Sequence, residues 1–115
     1  MFTIMGEIKD AIQDFYEAMK VLSKNNPEVV RHFKKFMDAT MKEQHLDTKT
    51  KELIALATAI TARCKYCIGL HVESALKAGA TKEEILETTT VAILMGGGPA
   101  LTHVAEVVKA LNEFG

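Results

Sequence analysis

The chain is 115 residues long, close to the common length of one domain, so residues 1–115 are read as a single domain on which any site must be built. Its 14 basic and 15 acidic residues leave a net charge of −1, which offers no electrostatic footprint for nucleic acid or anionic lipid. Hydrophobic residues make up 48%; a domain this small buries only roughly 65% of its unfolded surface, so apolar surface is left over and an oligomer is expected.

The longest apolar runs, Leu53–Ile60 and Val91–Ala100, fall short of the roughly 18 residues that span a bilayer, so no membrane segment is expected. The opening MFTIMGEIKD lacks the basic start, apolar stretch and small-residue cleavage site of an export signal. A cytoplasmic location is expected.

In chain order, Ile4, Ile8, Ile12, Phe15, Met19 and Leu22 recur every three or four residues and predict a first amphipathic helix. Asn26-Pro27, a capping residue followed by proline at the first helical position, opens a second with Val29, Phe33, Phe36, Met37 and Thr40 on one face and an end near Glu43. A third starts at Asp47 or Thr48 and runs through LIALATAI, residues 53–60; apolar or small on every side, it is expected to be central. A break near residues 62–64 precedes a fourth helix that carries both cysteines to Ala78, with Gly79 as its C-cap. Thr81-Lys82-Glu83-Glu84 is a capping box that opens the fifth.

Met95-Gly96-Gly97-Gly98-Pro99 cannot continue that helix and, lacking the Lys-Ser/Thr and preceding strand of a phosphate loop, is read as an interhelical turn. A sixth helix runs to about Glu113 with Leu101, Val104, Ala105, Val108 and Leu111 as its seam. No segment has the period of a strand. The class is all-α, a single domain of about six helices with a CxxC at the start of a helix.

The stretch RCKYCIGLH, residues 63–71, holds both cysteines and one of four histidines. On a continuous helix Cys64, Cys67 and His71 fall within an arc of about 60°, and Ala75 and Ala78 extend that face with small side chains that admit a neighbour or a substrate. Side chains at i and i+3 have Cβ atoms about 5–6 Å apart, whereas a relaxed disulfide wants roughly 3.5–4.5 Å. A Cys64–Cys67 bond therefore needs local adjustment, easiest in the first turn, and a bond so formed suits a catalytic disulfide better than a staple. An ordinary thiol is only about 3% thiolate at pH 7. The helix N-terminus, Arg63, Lys65 and His71 as proton acceptor are the available activators, and Glu52 is the candidate acid to orient His71.

Redox chemistry, soft-metal binding and inert buried thiols all stand open on these residues alone. The metal reading is short of ligands, because Cys64, Cys67 and His71 make three and a structural zinc site needs a fourth, such as Glu52 or a residue of another subunit. Glu52 reads equally well as an acid favoured in the first turn of a helix. Tyr66 projects away from the cysteine face, His32 and His45 are solvated, and His103 lies opposite the seam of the sixth helix as a surface or subunit contact. The methionines fall at core spacing and call for no cofactor.

Glu52, then Cys64-x-x-Cys67-x-x-x-His71, followed by Ala75, Gly79-Ala80 and Glu83-Glu84-Ile85, resembles the alkylhydroperoxidase D-like, or carboxymuconolactone decarboxylase, family, and LDTKTKELIALA is similar to the segment that leads into its motif. The resemblance covers about residues 46–98. It implies an all-helical fold assembled as trimers or hexamers. It also implies reduction of a hydroperoxide substrate through the cysteine pair, with electrons from a dithiol donor such as a lipoyl-bearing protein. By matched position, Cys67 attacks peroxide and becomes a sulfenic acid, Cys64 gives a proton and closes the disulfide, and Glu52 and His71 form the proton relay. The alkylhydroperoxidase D proteins themselves are longer and carry a histidine just before the second cysteine, where this chain has Tyr66. The lactone decarboxylases do not depend on a CxxC pair, so the pair argues against the alternative of a lyase using His71 and Glu52 as acid and base; a metal-binding or assembly module is the remaining alternative.

Overall fold

The computed structural model of the chain describes residues 6–115 and contains six helices. They are α1 (Glu7–Asn25), α2 (Pro27–Met41), α3 (Thr48–Thr61), α4 (Lys65–Lys77), α5 (Lys82–Gly96) and α6 (Gly98–Phe114). No strand occurs among the described residues, and the expected all-α class with six helices is what forms.

Local chemistry sets most boundaries. Asp47 caps α3 by accepting the Thr50 N–H at 2.7 Å. The capping box of α5 is complete: Thr81 Oγ1 accepts the Glu84 N–H at 3.0 Å, and Glu84 Oε1 accepts the Thr81 N–H at 2.8 Å. At the end of α4, Gly79 N–H donates to Leu76 O and Ala80 N–H to Ala75 O, with Gly79 at φ 95°. This is the left-handed closure that glycine favours, although the capping residue itself is Ala78 and Gly79 follows it. Gly97, at φ 69°, turns α5 into α6.

Other ends are capped across the fold. Glu113 of α6 accepts the Ile8 and Lys9 N–H groups at 3.2 and 2.8 Å, which supplies α1 with the cap that Gly6 cannot. Asn26 does not cap α2, because its Oδ1 accepts from Asn25 Nδ2 instead. At the other end, α2 stops at Met41 rather than near Glu43: Thr48 Oγ1 donates to Met41 O, and Lys51 Nζ donates to Thr40 O and Lys42 O.

Ile8, Leu56, Ile60, Ile68, Val72, Ile85 and Val107 are fully buried and draw five helices into one core. Through that core α4 packs against α1, α3 and α6. α1 approaches α4 closely at Gly69, since a Cβ there would sit 2.6 Å from Ile8 Cγ2. Two expectations need correction. α3 buries Glu52, Leu56, Ala59 and Ile60 but leaves Ile54 exposed, so it has one buried face rather than being surrounded. The seam of α6 is Ala100, Val107, Ala110 and Leu111, while Leu101 and Val108 face outward. That helix carries two apolar stripes, and the one with the smaller residues permits close packing. α2 buries nothing: Val29, Phe33, Phe36 and Met37 are exposed. Ile4, assigned to the first helix seam, lies outside the described residues.

Candidate functional site

The site begins where α3 stops. Arg63 N–H donates to Ile60 O and Cys64 N–H to Ala59 O, both at 3.1 Å, with Arg63 at φ 59°. This closes α3 in the pattern seen after α4, with an arginine where glycine is the easier residue. The short connection makes Cys64 the N-cap of α4. Its backbone is extended (φ −107°, ψ 101°), and its Sγ accepts the Cys67 N–H at 3.2 Å.

Cys64 and Cys67 are joined by a disulfide with Cα atoms 5.2 Å apart. Cys64 is therefore not on the helix, and the single-face argument for both cysteines is corrected. The adjustment expected for closing the bond is supplied by the extended backbone of the N-cap. Cys67, in the first turn of α4, is packed against the core.

One turn further along α4, His71 meets α3. Its Nδ1 lies 2.8 Å from Glu52 Oε1, with the two side chains 30% and 11% exposed. With Nδ1 donating to the carboxylate, Nε2 is the nitrogen left to exchange protons. Glu52 lies in the second turn of α3 and is buried to 8% exposure, so stabilisation of a helix terminus does not account for it. A carboxylate this buried needs a partner, and among the described residues His71 supplies it.

Tyr66 points outward at 44% exposure, with the Lys65 ammonium 5.9 Å from its ring centre. His32 and His45 are exposed. His103, expected as a surface or subunit contact, is half-buried, with Nδ1 2.7 Å from Glu106 Oε1. Its i, i+3 spacing to Glu106 was the available signal for that pair. Among the described residues, no three His, Cys, Asp or Glu side chains are arranged to hold a metal ion. No helix there is long and apolar enough to cross a membrane.

Six helices, five of them contributing to one core and the fourth opened by a cysteine pair, define the alkylhydroperoxidase D-like class of fold. The profile of the carboxymuconolactone decarboxylase family matches residues 27–110, and the chain belongs to that family. It is 43% identical over 69 residues to a protein of the cox locus of Paracoccus denitrificans, a match covering 60% of this chain and 62% of that protein. A carboxymuconolactone decarboxylase family protein from Legionella pneumophila has a crystal structure similar at TM-score 0.89 and 40% identity, covering 93% of this chain and 96% of the other. A family protein from Thermotoga maritima, for which a part in an antioxidative response has been suggested, is similar at TM-score 0.79 and 29% identity over 90% of this chain and 88% of its own.

Proposed function

We propose that the chain is a thiol-dependent oxidoreductase that reduces hydroperoxides through Cys64 and Cys67. The observation that carries this reading is the Glu52–His71 pair, bonded at 2.8 Å one turn beyond a disulfide at a helix N-terminus. In the reduced protein His71 takes the Cys67 proton and Glu52 holds the imidazole in the tautomer that can do so. The Cys67 thiolate attacks the peroxide, one oxygen leaves as the alcohol or water, and Cys67 is left as a sulfenic acid. Cys64 then displaces that hydroxyl and closes the disulfide. A dithiol of the lipoyl kind, free or on a carrier protein, returns two electrons. Peroxide consumption driven by a dithiol is the test, and full turnover by Cys67→Ser would falsify the proposal.

The family's namesake chemistry favours a second reading, a lyase on a small lactone acid with His71 and Glu52 as acid and base. Decarboxylation by a Cys64→Ala/Cys67→Ala double variant would establish it.

We also propose that the working form is a homotrimer or homohexamer. Val29, Phe33, Phe36 and Met37 are exposed on one face of α2, an apolar surface of the kind that subunits cover.

A further inference from the structure

We infer that Cys64, rather than Cys67, is the sulfur through which the pair exchanges with its external dithiol; this rests on the redox reading above. Two independent features separate the cysteines. First, Cys64 is the N-cap of α4 and its Sγ already accepts the Cys67 N–H. A sulfur there receives both a hydrogen bond and the positive end of a 13-residue helix, each of which favours its thiolate. Second, Cys67 is packed against the hydrophobic core, where loss of water disfavours the charged form. Cys64 is preceded instead by the exposed Arg63, outside either helix.

The two sulfurs therefore have different work. Cys64 is the sulfur that meets the external dithiol. Cys67 is a thiol until His71, four residues on, removes its proton. Both cysteines are partly buried, so it is the helix end and the core contacts that rank them.

The exchange balances as follows. His71 takes the proton of one thiol of the dithiol, that sulfur attacks Cys64 Sγ as a thiolate, the Cys64–Cys67 bond breaks, and Cys67 leaves as a thiolate that takes the proton back from His71. The second thiolate of the dithiol then attacks its own sulfur of the mixed disulfide and expels Cys64 as a thiolate. The dithiol is oxidised to a disulfide, two electrons reduce the protein disulfide, and of the two protons released one rests on Cys67 and the other passes to solvent.

The test uses the reduced full-length chain. Brief treatment with iodoacetamide at pH 7 is followed by trypsin, which cuts after Arg63 and Lys65 and so places the two cysteines on separate peptides. Cys64 is expected to be alkylated about tenfold faster than Cys67. Treatment of Cys67→Ser with glutathione disulfide is expected to give a mixed disulfide on Cys64 at least tenfold faster than Cys64→Ser gives one on Cys67. Equal rates or a faster Cys67 overturn the assignment. Peroxide turnover is scored separately, so a chain that reduces peroxide with the ranking reversed refutes this inference alone. A chain with the expected ranking and no peroxide turnover refutes the peroxidase reading instead.

Discussion

Glu52 shows how one contact changes the meaning of a residue. As an acid near the start of a helix it has an ordinary explanation, but at 8% exposure and 2.8 Å from His71 it is a buried partner. On the redox reading, His71→Gln should lower dithiol-dependent turnover by about 10²–10⁴-fold, the usual range for losing a positioned base. Glu52→Gln should lower it by about 10²-fold, while Cys64 and Cys67 still oxidise to a disulfide; steady-state rates and thiol mass spectrometry read both. Arg63 makes a backbone argument at the same scale. Its left-handed φ of 59° costs a non-glycine residue roughly 1–2 kcal/mol, while glycine costs about 0.4–1 kcal/mol through the unfolded chain. Arg63→Gly should therefore gain about 0.5 kcal/mol in urea unfolding, and Arg63→Val, β-branched and poorly suited to positive φ, should lose about 1–2 kcal/mol.

At the scale of elements, α4 is the part to which the site answers. Its N-terminus carries the disulfide, its middle is held against α1 at Gly69, and α1 is in turn capped by Glu113 from α6. Gly69→Ala would press a Cβ onto the fully buried Ile8 and should cost about 1–3 kcal/mol by overpacking. Glu113→Ala leaves two N–H groups of α1 uncapped and should cost about 1–2 kcal/mol. Both are read by chemical denaturation. The capping box at Thr81 was legible because its partners are three residues apart, whereas the Glu113 cap joins residues 105 positions apart and no local pattern marks it.

Over the whole molecule, the Lys49–Glu84 pair ties the start of α3 to the start of α5 at 2.9 Å. The hydrogen bond from Thr81 N–H and the Lys49 ammonium hold the Glu84 carboxyl below its ordinary 4.5, while Glu84 raises Lys49 above 10.5. A depressed carboxyl contributes stability that is present above about pH 4.5 and lost as pH falls through its folded value. A raised lysine contributes stability that is present below about pH 10.5 and lost above its folded value. The thermal midpoint should therefore fall on acidification below about pH 4.5, and Glu84→Gln should flatten that fall. Assembly belongs to this scale as well. Phe33 and Phe36 are 57% and 67% exposed, so a Phe33→Glu/Phe36→Glu double variant should run as a monomer by light scattering while keeping its helical circular dichroism.

The helical period, the turn glycines and the spacing of Glu52, Cys64, Cys67 and His71 lie in the sequence alone, because each is either local or carried by a family motif. From them follow the class, the number of helices and the candidate site. The stripe of α6 read as its seam faces outward at Leu101 and Val108, since both stripes have the same period and only contact with the rest of the core chooses between them. Tertiary packing also decided that Glu52 reaches His71, because the break between α3 and α4 hides their relative orientation from any spacing rule. For RCKYCIGLH the sequence determined that Cys67 and His71, four residues apart, share a face of one helix. The turn at Arg63 decided that Cys64 caps the helix while Cys67 belongs to it, and this difference in backbone gives the two sulfurs different chemistry.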